Sequence, residues 1–176
     1  MKIEGGEKLE KALTEIARKL GSSASVRVGF LENATYPDGK PVAMIAAIQE
    51  YGAPGAGIPP RPFFRNMIAD KSGEWPEGVK NALVAADYDA GKALGVVGAA
   101  IAGQLRESII NTNTPPLSKV TLMIRKMKSE GAVITKASLG IARARLAAGE
   151  SVGGVPTKPL VDTGHLLNSV DFEVKT

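Results

Sequence analysis

Between Gly91 and Gly103 the chain places glycine at 91, 95, 98 and 103 in a run otherwise rich in alanine, valine and leucine. The surrounding pattern is helical from about Glu77 to Ile110. Unbroken, such a helix would span about 50 Å at 1.5 Å per residue. Each interior glycine weakens a helix by about 1 kcal/mol relative to alanine, so something must compensate. Gly91, Gly95, Gly98 with Ala99, and Ala102 with Gly103 recur three or four apart and line one helix face. Small residues there let another backbone approach closely. Two readings stand side by side: a tightly packed internal helix, or a subunit interface with Gly91, Gly95 and Gly98 as candidate contact residues.

Composition narrows the chemistry. The 176 residues include 20 glycines, no cysteine and one histidine, His165, and aromatic residues make up 5%. Cysteine nucleophiles, disulfide scaffolds and thiolate metal sites are excluded, as is any site needing two imidazoles. The core must rely on Ala, Val, Ile and Leu. The apolar run Ala93–Gly103 sits between Lys92 and Gln104, short of the roughly 20 residues of a membrane span. Charge begins immediately at the N-terminus, so no export leader is expected, and neither is a membrane partner.

The rest of the pattern reads as α+β: a small, mostly antiparallel sheet packed with helices, including the long glycine-rich central one. Glu7–Leu20 is amphipathic, with Leu9, Leu13, Ile16, Ala17 and Leu20 on one face. Ser25–Leu31 alternates as a strand, and Tyr36-Pro37-Asp38-Gly39 is a turn by residue chemistry. Val42–Tyr51 is helical. Gly52–Pro62 is a stiff Gly/Pro arm, with a short helix behind it over Phe63–Lys71. Thr112–Pro116 breaks the pattern. Helices follow to Ser129 and over Lys136–Ala148, with Gly131–Thr135 between them as a short strand or loop. A loop, Gly149–Pro159, leads to a tail whose Asp162 can cap a turn. Val170, Phe172 and Val174 then alternate as a last strand. The chain reads as one domain over residues 1–176, with 129–158 as a candidate insertion.

Several constellations resemble chemistry. Asp162-Thr163-Gly164 has the form of an aspartic-protease triplet, a remote alternative. Such a site needs two carboxylates sharing a proton, and no second triplet exists in the chain. A cap and turn is the simpler reading. His165, Asp162 and Ser169 could be drawn as a triad, but no nucleophile-elbow pattern accompanies them. The glycines at 91–103 lack the Gly-x-x-x-x-Gly-Lys-Ser/Thr pattern of a phosphate loop. No catalytic, cofactor-binding or metal-binding residues are assigned, and the chain is not expected to be an enzyme. The charge signal is local. Lys119, Arg125, Lys126, Lys128, Lys136, Arg143 and Arg145 face a single acid, Glu130, for a net +6 against +4 for the whole chain. With no aromatic residue to stack bases, this segment suits either a solvated face or non-specific contact with duplex phosphates.

Two stretches together carry a family likeness. One is Ile45-Ala-Ala-Ile-Gln-Glu50-Tyr51-Gly52 followed by Ile58-Pro59-Pro60-Arg61-Pro62-Phe63-Phe64-Arg65. The other is Pro115-Pro116-Leu117-Ser118 with Thr121, then Lys158-Pro159-Leu160-Val161-Asp162-Thr163-Gly164 and Leu167-Asn168-Ser169-Val170. In this order, over residues 40–72 and 105–176, the chain resembles the head–tail joining, neck, tail-completion and minor tail proteins of long-tailed bacteriophages. The resemblance implies a virion structural protein that forms a homo-oligomeric ring around the DNA channel. Its partners would be portal-connector proteins and tail-tube or terminator proteins, in the virion and, during assembly, in the host cytoplasm. It implies that Ile58, Pro59, Pro60, Arg61, Pro62, Phe63, Phe64 and Arg65 reach a neighbouring subunit. The seven basic residues would line the DNA passage. A free, non-specific DNA-binding accessory protein is the alternative. Residues 129–157 are longer, and the preceding helix richer in glycine, than is usual in that group.

Overall fold

A computed structural model describes residues 6–21 and 24–175. Its α-helices are α1 (Gly6–Leu20), α2 (Val42–Tyr51), α3 (Phe63–Lys71), α4 (Trp75–Ala85), α5 (Ala90–Asn111), α6 (Lys119–Ser129), α7 (Ser138–Ala147) and the single turn α8 (His165–Asn168). Short 3-10 turns cover Pro54–Ala56 and Ser72–Glu74. The strands β1 (Ser25–Phe30) and β2 (Val170–Lys175) pair antiparallel, with Arg27 opposite Glu173 and Val28 opposite Phe172. The class is α+β.

The glycine at 98 decides the architecture. An ideal Cβ built there would lie 2.6 Å from the Phe172 ring and 2.7 Å from a Val26 methyl. Only a hydrogen fits, so the α5 backbone lies directly under the β1–β2 pair. Around this contact the main core gathers Val42, Ala46, Phe63, Met67, Ala102, Leu105, Ile109, Leu160, Leu166 and Val170. Phe30 meets Phe63 edge-on with ring centroids 6.3 Å apart. Trp75 Nε1 donates to Gln104 Oε1 at 2.9 Å and ties α4 to α5. By length and mean hydropathy (1.3 over its most apolar 18 residues) α5 would suit a membrane core. Here it is the central helix, with β1, β2, α3 and α4 packed on it.

Three expectations need correction. The helix expected over 77–110 is two helices. Asp87 and Tyr88 take left-handed backbone (φ 50° and 61°), and Asp89 caps α5 by accepting the Lys92 N–H at 3.0 Å. Aspartate tolerates such turns and caps helices well, and that local preference outweighs the continuous apolar pattern. Second, the apolar face of α1 is not core. Leu9 is 62% and Leu13 57% exposed, and Ile16 is half-buried; the side chain of Leu20 lies outside the described residues. Third, α6 and α7 form a separate hairpin with its own small core of Met123, Met127 and Ala142; residues 131–135, expected as a short strand or loop, are the loop between them. The boundary expected at 129 therefore falls inside one unit that begins at Lys119.

The contrast between two α5 glycines tests this account. Gly95 faces open space, so Gly95→Ala should raise the Tm by about 2–4 °C through helix propensity. Gly98→Ala should lower it by about 3–10 °C through overpacking against Phe172 and Val26. Thermal unfolding of the two variants checks both. Equal tolerance of the two would contradict the close approach.

Candidate functional site

The two motif stretches, far apart in sequence, meet at one side of the core. Glu50 lies in the last turn of α2, in one row with the buried Val42 and Ala46, and is itself buried; the inward row expected from the apolar pattern, Ile45, Ile48 and Tyr51, is half-buried at its first two positions and exposed at Tyr51. Its carboxylate accepts the backbone N–H of Phe64 at 2.9 Å and of Arg65 at 3.2 Å, and the Arg65 Nε at 2.8 Å. These are free N–H groups of the first turn of α3, where a negative charge also faces the positive end of the helix dipole. Arg65 in turn lies over the Tyr51 ring, 5.0 Å from its centroid.

The segment between α2 and α3 is thus folded back on its own chain. Ala53 and Ile58 pair across a tight turn. Gly52 holds φ 77°, and a Cβ there would sit 2.8 Å from the Pro60 nitrogen, so glycine is required. Arg61 is buried and donates to the Pro115 carbonyl at 3.1 Å and to Gln49 Oε1 at 3.2 Å. Phe63 is fully buried in the core. The expectation that residues 58–65 reach a neighbour is therefore corrected for Arg61 and Phe63, whose surfaces are spent internally. Pro59, Pro60 and Arg65 are exposed; Ile58, Pro62 and Phe64 are half-buried.

Arg125 of α6 makes the matching clamp on the C-terminal stretch. Its Nη1 donates to the carbonyls of Pro156 and Lys158, at 2.6 and 2.9 Å, and its Nη2 to that of Pro159 at 3.1 Å. Its Nε lies 3.5 Å from Asp162, and Lys128 reaches the same carboxylate at 3.0 Å. Burial lowers the Arg125 pKa while Asp162 opposes the shift; burial and then the nearby Arg125 charge lower that of Arg61. Arg61 thus joins the first stretch to the second at Pro115, and Arg125 fastens α6 to the C-terminal part of the second.

An open cleft of about 570 Å³ lies beside them, lined in part by Tyr36, Lys40, Ile45, Arg125, Asp162 and His165. His165 rests on the Tyr36 ring, centroids 4.5 Å apart. Its Nε2 lies 2.9 Å from the Thr35 carbonyl; a carbonyl only accepts, so Nε2 carries the proton. Ser169 Oγ donates to the His165 backbone carbonyl, so Asp162, His165 and Ser169 do not form a nucleophile chain. The Asp162 carboxylate is held by two cations rather than by a second carboxyl.

The basic segment divides. Arg125, Lys126, Lys128 and Arg145 are engaged: Lys126 with Glu150 and the Ser151 carbonyl, Arg145 with Glu130 and Glu150. The expected channel lining is corrected for these four, whose donors are turned to the protein's own acids and carbonyls. Lys119, Lys136 and Arg143 are exposed, without an ion pair among the described residues. On α5, Gly98 is corrected from interface to internal packing. Gly91 and Gly95 are half-buried, while the outward side, with Val96 65% exposed beside Ala99, Ala100 and Gly103, is open. The roles of Glu50 and Arg125 were not read from the sequence. The available signal for Glu50 was a carboxylate on the apolar side of a helix two residues before a glycine.

No family model, no curated protein and no solved structure matches the chain.

Two outcomes follow. Glu50→Ala leaves two buried N–H groups and Arg65 without their acceptor; unfolding should show a loss of about 1–3 kcal/mol. Glu150, bonded to Arg145 and Lys126, has its pKa pushed down from 4.5 to about 2. A depressed folded pKa stabilises the folded state above the unfolded value. That contribution is complete above about pH 4.5 and is lost as pH falls toward 2. The Met127 and Ala142 methyl resonances should therefore report loosening of the α6–α7 hairpin in that window, and Glu150→Gln should remove the pH dependence.

Proposed function

We propose that this chain is a structural subunit of a long-tailed bacteriophage particle, placed at the head–tail junction as a neck, tail-completion or tail-terminator protein. It assembles as a ring around the DNA passage, between portal-connector and tail-tube or terminator proteins. The observation that carries this reading is the convergence of the two motif stretches. Residues 45–52 and 58–65 and the segments 115–121 and 158–170 are the parts that carry the resemblance; Arg61 ties the first to the second at Pro115, Glu50 fixes the fold of the first, and Arg125 holds the second at Lys158 and Pro159. A unit so fixed presents its surroundings in one geometry, as a closed ring requires of every copy.

The surface supports association. Val96 on α5, Met44 and Tyr51 on α2, Ile68 on α3 and Leu139 and Ile141 on α7 are all exposed apolar side chains. Function by this reading is geometric, with no catalytic step and no cofactor. DNA contact falls to Lys119, Lys136 and Arg143, three charges spread over the α6–α7 unit, which suits weak and sequence-independent attraction to passing phosphates. The small number of free cations in this segment disfavours its use as an independent DNA-binding surface, whose affinity would fall steeply with salt.

Electron microscopy of particles made without this chain tests the proposal. Unjoined heads and tails, with infectious titre reduced by orders of magnitude, are expected. Normal joined and infectious particles would overturn it.

A further inference from the structure

The sheet has two strands and therefore two edges, and they are not equivalent. On β2 the Phe172 N–H is taken by the Asp171 carboxylate at 2.8 Å, and the Val170 carbonyl accepts from Arg106. Both groups thus point away from β1. Antiparallel pairing alternates inward and outward pairs, so the partners of these residues, Val28 and Phe30, also turn their N–H and C=O groups outward, as does Val26. Among the described residues no other backbone group bonds to these three outside the strand pair. The β2 edge is guarded; the β1 edge is open. A groove of about 370 Å³ follows β1 and extends across to Glu173 and Lys175 of β2, with Arg27, Phe30 and Glu32 also in its wall.

Elsewhere the chain holds a strand sequence with no strand to join. Ala132-Val133-Ile134-Thr135 joins α6 to α7 and is neither helix nor strand. Val133 is 84% exposed and Ile134 41%, an unfavourable display for β-branched side chains. The Ala132 N–H goes to Met127 and the Thr135 N–H to Ser138. The N–H and C=O groups of Val133 and Ile134 have no partner among the described residues. The segment sits at the connection of a hairpin that has its own core.

We propose that residues 132–135 of one copy add as a third strand to the open β1 edge of the next copy. The charges flanking the segment choose its direction. Glu130 precedes it and Lys136 follows it, while Arg27 lies in β1 and Glu32 just beyond it. Parallel addition places Lys136 near Glu32; antiparallel addition places it near Arg27, like charge against like. Lys136, Glu32 and Arg27 have no ion pair of their own among the described residues, whereas Glu130 is held by Arg145. Donor and acceptor are different surfaces of one chain, so the contact is head-to-tail and propagates around a ring. A sheet of three strands over an apolar helix is also more stable than an isolated pair.

This inference rests on the reading that the chain assembles with copies of itself, and sedimentation velocity of the full chain separates the two. Wild-type protein should form closed oligomers. Val28→Pro removes an N–H that bonds to nothing within the chain, and edge positions tolerate proline; it should abolish association while the circular dichroism spectrum stays unchanged. Lys136→Glu should weaken association roughly three- to tenfold, and adding Glu32→Lys in the same chain should restore it. As a check independent of folding effects, Glu32→Cys and Lys136→Cys proteins should form a mixed disulfide together and none separately, since the chain has no other thiol. Oligomers that survive Val28→Pro and Lys136→Glu, with no mixed disulfide, overturn this inference and leave the ring reading standing. A wild-type chain that stays monomeric at every concentration, and beside its assembly partners, overturns both.

Discussion

The approach of the α5 backbone to the sheet at Gly98 is the constraint from which the rest of the fold follows. It brings the first and last strands of the chain onto one helix. Once α5 is fixed there, Ala102, Leu105 and Ile109 meet α3 and the C-terminal segment on the same inward side. Helix propensity is given up at 98 so that Val26 and Phe172 can close over the axis. The same helix leaves Val96 and its small neighbours on the outside, where no other described residue covers them.

Charge turned inward does the second task. Glu50, Arg61 and Arg125 are each spent on backbone groups that an apolar core could not satisfy. A buried polar group pairs with its partners or costs several kcal/mol, so these side chains specify one arrangement of loops otherwise rich in glycine and proline. That is why the arm at 52–62, stiff as its prolines suggest, lies against its own chain. It is also why a segment of strong positive charge has few cations to offer: three acids, Glu130, Glu150 and Asp162, take most of it.

How much was legible depends on the range of the cause. The strands at 25–30 and 170–175 follow from local alternation, and the helices behind Pro41 and Pro62 from local helical pattern with a proline at the entry. The break at 86–89 was legible too, in Asp87-Tyr88-Asp89, but the apolar periodicity across it hid the signal. The stiffness of the arm was visible; the direction it takes was not, because Glu50, Gln49 and the Pro115 carbonyl that hold it are tertiary partners. The small-residue face of α5 could be seen as a close-packing surface, yet only the position of the sheet tells that Gly98 faces inward. The exposed face of α1 shows the limit of the method: amphipathic spacing states that a partner is wanted, not that the subunit provides one.

In the proposed ring, the two incomplete features of the subunit complete each other: an edge without a strand and a strand without an edge. Site-resolved amide hydrogen exchange on the free chain and on the assembled oligomer measures this directly. The account predicts that the N–H groups of Val28 and Phe30, and of one of the adjacent residues Val133 and Ile134, exchange rapidly in the free chain and become strongly protected together on assembly. Rapid exchange at all of these in the assembled oligomer, with protection confined to other surfaces, would contradict it.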